Sequence, residues 1–156
     1  MSSFRDPAQP GESQQHCSFS LMAEDLVTCN LDIKPGVCIK IVGDVPPEAK
    51  HFVLDLGKDP DNIGLNFNPR FKYLKDTKII ICNSKKDKVS GKDQKVKQFP
   101  FEPGKAVEVS ITFETMHFKV KLPNGYEFTF PNRLQLEKIN YLAMSGDIKF
   151  KSLTLD

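Results

Sequence analysis

The sequence predicts an all-β protein: two antiparallel sheets packed face to face in a sandwich of jelly-roll-like topology, with about ten or eleven short strands. Three observations carry that expectation. Apolar and polar residues alternate with period two in segment after segment, the pattern of strands with one buried face. Turn-forming tripeptides punctuate the segments. No window holds the 3.6-residue apolar period of an amphipathic helix. At 156 residues the chain suits one domain of ordinary size.

The elements follow in order. Residues 1–20, MSSFRDPAQPGESQQHCSFS, are rich in Ser, Gln and Pro and predict a flexible N-terminal tail, with the folded domain spanning 21–156. VCIKIVGDV sets Val37, Ile39 and Ile41 against Cys38, Lys40 and Val42. LNFNPRFKYLKDTKIIICNSKK, residues 65–86, reads as strand yet carries Asn66, Asn68, Arg70 and Asn83. VEVSITF places Val107, Val109, Ile111 and Phe113 on one face, and FKVKL repeats the device with Phe118, Val120 and Leu122. YEFTF does so with Tyr126, Phe128 and Phe130, and IKFKSLTL ends the chain in the same style. KPG at 34–36, EPG at 102–104 and PNG at 123–125 supply turns, the last between two alternating runs and so a hairpin. NRLQLEKINYLAM is the best helix candidate, but its apolar residues do not keep helical spacing.

Composition narrows the chemistry. The net charge is +2, but ten Lys/Arg stand against three Asp/Glu between Arg70 and Lys97. That local +7 leaves −5 for the rest, so a basic face is expected on an otherwise acidic protein. Cys17, Cys29, Cys38 and Cys82 form no CxxC pair and have no His at ligand spacing, so neither a metal site nor any cofactor is expected. The N-terminus lacks the apolar run of a signal peptide, and no segment approaches the ~20 apolar residues of a membrane span. These features favour synthesis in the cytosol with reduced thiols and no membrane insertion. Cys17, in the tail, is the thiol expected to be exposed.

With the strands placed, a family resemblance emerges. NFNPRF, then CNSK after an apolar strand, then FPFEPG and FKVKLPNGYEFTFPNRL resemble the galectins, and more narrowly the single-domain, prototype galectins of vertebrates. FVLDLGKDPDNIGLNFNPRF and INYLAMSGDIKFKSLTLD belong to the match, which covers about Ala23 to Asp156. The resemblance implies a galectin-type jelly roll and a carbohydrate-recognition domain whose sugar site is a row of polar side chains on one sheet. In the family pattern His-x-Asn-x-Arg lies on one strand and Asn on the next. Trp follows, then Glu three residues later and a basic residue two further on. Strand positions i, i+2 and i+4 share a face, so the first three side chains form a line. They grip the axial 4-hydroxyl of galactose while the Trp stacks on the apolar face of the sugar and the Glu orients the Arg.

Carried onto this chain, Asn68, Arg70 and Asn83 match the pattern. Asn66 stands in place of the His, Ser90 in place of the Trp, Asp93 in place of the Glu and Lys95 in place of the second basic residue. The chain has no Trp at all, so no shift of alignment restores the stacking platform. That loss is worth roughly 1–3 kcal/mol, about 10- to 100-fold in affinity. The Asn66 amide can donate and accept as a neutral imidazole does, but it is shorter. Lys95 lacks the planar fork of Arg. β-Galactoside binding is therefore expected to be weakened or altered. Lys86, Lys88, Lys92, Lys95 and Lys97 crowd the same region, so anionic glycans such as sulfated or sialylated ones are the other candidate ligands.

The bland reading of the same residues is a solvated polar sheet face, with Arg70 and Asp93 as a surface ion pair. It leads to a galectin-fold protein that binds no sugar and acts through protein contacts or as a structural component. Nucleic acid is a poor candidate, because no aromatics interleave with the lysines. An enzyme is not expected: no paired carboxylates share a predicted strand face, and no Ser-His-Asp or Cys-His grouping stands out. From the resemblance, a homodimer is expected, with secretion lacking a signal peptide as the route to extracellular glycans.

Overall fold

The computed structural model describes residues 20–22 and 25–156 of the chain. Of the predicted tail, residues 1–20, all but Ser20 lie outside the described residues, Cys17 included; Ser20 is the first residue of a strand. Among those that are described there is no helix, and thirteen strands form two antiparallel sheets. In chain order they are β1 (Ser20–Met22), β2 (Asp25–Thr28), β3 (Cys38–Asp44), β4 (Phe52–Asp59), β5 (Asn62–Tyr73), β6 (Asp76–Lys86) and β7 (Val89–Ser90). There follow β8 (Gln94–Val96), β9 (Ala106–Phe113), β10 (His117–Lys121), β11 (Glu127–Pro131), β12 (Tyr141–Gly146) and β13 (Lys149–Leu155). The eight-stranded sheet runs β1-β2-β12-β4-β5-β6-β7, with β8 also paired to β6; the five-stranded sheet runs β11-β10-β9-β3-β13. The sandwich is as expected, and the strand count exceeds the expected ten or eleven because very short edge strands carry no readable alternation.

The alternation seen in the sequence is the inside–outside pattern of the sheets. Ile39 and Ile41 on β3, Val107, Val109, Ile111 and Phe113 on β9, and Phe118 and Val120 on β10 are buried. They face Phe52, Leu54 and Leu56 of β4, Leu65 and Phe67 of β5, and Ile80 and Cys82 of β6 in one continuous core. The phenylalanines carry much of this packing. Phe71, Phe99 and Phe101 meet edge to face at 5.2 and 5.4 Å, and Phe52 joins Phe101 at 5.8 Å, near the favoured geometry of aromatic pairs. The alternation fades on β11, where Phe130 is buried but Tyr126, just before the strand, is exposed, and on β13, where the register shifts between Phe150 and Ser152, Phe150 and Leu153 are only half-buried and Leu155 is exposed.

Three turns explain which strands were legible. At PNG, Gly125 takes φ +89° and its N–H donates to the Leu122 carbonyl, closing the β10–β11 hairpin. The β6–β7 hairpin turns through Asp87 and Lys88, both with positive φ. That is the geometry normally supplied by Asn-Gly or Asp-Gly, so the turn was not readable from its residue types. The β5–β6 hairpin pairs Tyr73 with Asp76 across Leu74, which is 77% exposed and has φ 58°.

The cysteines depart in part from expectation. Cys38 and Cys82 are free, whereas Cys29 is disulfide-bonded, which corrects the expectation of uniformly reduced thiols. Cys82 is enclosed in the core, and burial pushes its thiol up to about 12, with the Arg133 charge opposing this. No helix among the described residues is long and apolar enough to cross a membrane.

Two outcomes follow from this packing. Phe118 is fully buried against Phe113 at 5.4 Å, so Phe118→Ala lowers stability by about 3–5 kcal/mol; urea unfolding with an unchanged slope measures it. Cys82 stays unmodified by a thiol reagent at pH 8 in the native chain and reacts once urea unfolds it, as peptide mass mapping reads out.

Candidate functional site

β5 supplies the core with Leu65, Phe67 and Phe71, so the intervening side chains Asn66, Asn68 and Arg70 emerge on the other face of the eight-stranded sheet. Pairing with the neighbouring strands then fixes what stands beside each. Asn66 lies between Asp55 of β4 and Asn83 of β6. Asn68 lies opposite Ile81, which in turn lies opposite Lys95 of β8. Arg70 lies between His51 and Ile79. Asn66, Asn68 and Arg70 therefore lie in line on the outer side of the sheet, with Asn83 on the next strand.

Its hydrogen bonds are specific. Asn68 is only 5% exposed. Its Oδ1 accepts from Arg70 Nε at 2.9 Å, and its Nδ2 donates to the Phe52 carbonyl at 2.7 Å and meets His51 Nδ1 at 3.1 Å. Arg70 Nη1 donates to Asp76 Oδ2 at 2.6 Å, in an ion pair whose side chains are 19% and 14% exposed. A charge-assisted contact this sheltered fixes the guanidinium far better than a surface pair does. The Arg70 guanidinium also lies 5.3 Å from the centre of the Tyr73 ring. Tyr73 in turn stacks on His51 at 3.7 Å with the planes 15° apart.

The other end of the row is equally tied. Asn66 Nδ2 donates to Asp55 Oδ1 at 2.6 Å. Burial raises the Asp55 carboxyl above the usual range, and the Asn66 bond and the Lys85 charge oppose that rise. Tyr141, across β12, is also raised, by burial first and then by the charges of Asp55 and Asp59. Asn83 uses every polar position it has. Nδ2 donates to Asp93 Oδ1 at 2.8 Å and to the Gly91 carbonyl at 3.0 Å, while Oδ1 accepts from Ser84 N at 2.7 Å and Arg133 Nη1 at 3.3 Å.

Ser90, which stands in place of the family's Trp, sits on β7 opposite Lys85 and is exposed. Lys95 is exposed on β8. Asp93 does not pair with Arg70: its partner is Asn83, and the carboxylate that holds Arg70 is Asp76. The suggested Arg70–Asp93 surface pair is thus replaced by a tighter one formed across the β5–β6 turn. Among the described residues none of the nine lysines from Lys72 to Lys97 forms an ion pair, so the basic character read from the sequence is uncompensated. No group of three or more potential metal ligands is present among the described residues.

Four participants escaped the sequence reading. Asp76 follows a two-residue turn whose sharpness was not readable. Asp55 sits in FVLDLG as an ordinary outward residue, and only its pairing with Asn66 gives it a partner. His51 and Tyr73 come together from opposite ends of β4 and β5, so no spacing rule links them.

Comparison with known proteins places this arrangement. A family model described as galactoside-binding lectin matches residues 25–155. Galectin-1 of Sus scrofa is 51% identical over 135 residues, covering 86% of this chain and 100% of that protein. The solved structure of CG-16, a homodimeric agglutinin from chicken liver, superposes with a TM-score of 0.82 at 43% identity, covering 85% of this chain and 100% of that one. A toad ovary galectin solved in complex with thio-digalactose gives a TM-score of 0.83 at 36% identity, with 86% and 100% covered. The strand order, the polar row on β5 and β6 and these matches converge, and the chain belongs to the galectins, the galactoside-binding lectin family.

Proposed function

We propose that this chain is a galectin with a retained but altered sugar grip. Asn68, Arg70 and Asn83 hold galactose hydroxyls, Asn66 substitutes for an imidazole, and Ser90 leaves the sugar's apolar face without an aromatic partner. Asp93 and Lys95 complete the rim. The observation that carries this reading is the preset Asn68–Arg70–Asp76 chain of contacts. It immobilises the guanidinium through Nε and Nη1 on the outer side of the sheet, and such preorganisation is what polar recognition of a sugar requires. The toad ovary neighbour, solved with thio-digalactose, makes a β-galactoside the first ligand to try. The homodimeric state of the chicken agglutinin makes a homodimer the first assembly to test. The recognition domain is taken as residues 21–156, with 1–20 as an appended tail.

The unpaired lysines add a second component. Lys86, Lys88, Lys92, Lys95 and Lys97 favour a galactoside bearing sulfate or a carboxylate at the β7–β8 end, where charge attraction partly offsets the lost stacking. At the β4 end Asp55 and Asp59 stand beside Tyr141, so an anionic substituent there is repelled. A ligand is thereby oriented along the row by charge.

The alternative, a galectin fold acting without sugar, is favoured by one observation. Asn83 already has all its hydrogen-bonding positions filled by the protein, and the Asn66 amide is committed to Asp55. A sugar must compete with those bonds.

Chromatography separates these readings. On lactose-agarose the parent chain is retarded weakly, and Ser90→Trp is retained and released by free lactose, a gain of about 10- to 100-fold in affinity. Full retention of the parent would refute the altered-site reading, and no gain in the variant would move the block to Asn66. On immobilised heparin the parent is retained at low salt and released as the Debye length shrinks. Elution in the void at low salt sinks the anionic component. Arg70→Ala loses galactoside binding on either background.

A further inference from the structure

The His51 side chain lies just before β4, outside the residues that the galectin pattern uses, yet it touches the centre of the row. The orientation of the Asn68 amide is settled by two partners with no choice of role. Arg70 Nε can only donate, so the atom 2.9 Å from it is the Asn68 oxygen. The Phe52 carbonyl can only accept, so the atom 2.7 Å from it is the Asn68 nitrogen. That same nitrogen faces His51 Nδ1 at 3.1 Å and must donate to it. Nδ1 is therefore unprotonated, and the neutral ring carries its proton on Nε2. The ring cannot rotate freely, because Tyr73 stacks on it at 3.7 Å.

We infer that His51 is a positioning residue for the Asn68–Arg70 grip, and that its protonation releases the grip, making ligand binding dependent on pH. In the imidazolium both ring nitrogens are donors. Nδ1–H then confronts Asn68 Nδ2–H. Asn68 cannot flip to relieve this, since a flip would turn its oxygen on the Phe52 carbonyl and its nitrogen on Arg70 Nε. Either the ring leaves the Tyr73 stack or Asn68 leaves Arg70. The part of the inference that concerns ligand rests on the galactoside reading above.

The charges around the ring are mixed. From β5, Arg70 opposes a second cation beside Tyr73, and Asp76 holds Arg70 in place. From the β12–β13 turn, Asp147 favours the cation, but its Oδ2 is occupied by the backbone N–H groups of Lys50, at 2.8 Å, and His51, at 3.4 Å. Burial is the largest influence and lowers the ring's affinity for a proton; Asp147 raises it and Arg70 lowers it. The sign follows. A His depressed below its unfolded value of 6.5 contributes stability that is complete above pH 6.5 and is lost as pH falls through the folded value.

The test uses the intact ¹⁵N-labelled chain. Imidazole and side-chain amide spectra are recorded from pH 8 to 5, with His51→Gln both assigning the ring and supplying an acceptor that does not titrate. The expected result is an Nε2–H tautomer at pH 8, with Asn68 amide and Arg70 Nε signals moving at the His51 midpoint in the parent and staying still in His51→Gln. Lactose titration of the parent weakens by about 10-fold through the same midpoint, the loss of one well-placed hydrogen bond, while His51→Gln binds with flat pH dependence. An Nδ1–H tautomer, or a His51 titration that Asn68 and Arg70 do not follow, overturns the inference. If the parent binds no lactose at any pH, the galactoside reading falls and the spectra alone decide the role of His51.

Discussion

The pairing register of β5 is the constraint on which the outer face depends. Its side chains alternate, so a slip of one residue would bury Asn66, Asn68 and Arg70 and expose Leu65, Phe67 and Phe71. Burying an arginine and two amides without partners costs several kcal/mol each, and the exposed rings would lose their core contacts as well. The core thus chooses the register, and the register places His51, Asp55, Asn83 and Lys95 where they stand. The site is a by-product of packing made specific by a few polar contacts.

Those contacts divide the row in two. Around Asn68 and Arg70 every bond is within or beside β5, sheltered, and closed by Asp76 and His51. Around Asn83 the bonds reach to Gly91 and Asp93, between β7 and β8, and to Arg133, just after β11 of the other sheet. The first half is stiff, whereas the second can exchange a protein partner for a hydroxyl at modest cost, since both are hydrogen bonds made at an exposed rim. Under the proposed galactoside reading, a ligand that meets Arg70 finds a preset group, and one that meets Asn83 has to displace a bond the protein already makes.

How much of this was legible follows from what each feature depends on. Period-two alternation is local, so β3, β9 and β10 could be read residue by residue. The line of Asn66, Asn68 and Arg70 was legible for the same reason. Hairpins were readable at PNG, where glycine supplies positive φ, and unreadable at Asp87–Lys88, where two non-glycine residues adopt it. The partners of the row were the least legible. Asp55 and His51 act across strands, and a contact between Asn68 and a ring 17 positions earlier leaves no mark in spacing. Asp93 illustrates the converse. Its position in the family pattern suggested the carboxylate of Arg70, and the turn at Leu74 brought Asp76 there instead.

That turn has a consequence for how the sequence can change. Leu74 keeps an apolar side chain in water and a β-carbon in the left-handed region, where a residue other than glycine costs roughly 1–2 kcal/mol. Lys78, Lys88 and Gln135 share its positive φ, so Leu74 is one of several positions where a single exchange can relax the backbone. Replacement by Gly, Asn or Asp would relax the backbone without touching the core, and so widen the margin above the unfolding threshold. Drift at Leu74 can therefore precede and underwrite destabilising experiments elsewhere on the row, making an exposed hairpin tip a gatekeeper of how far the specificity of this lectin is able to evolve.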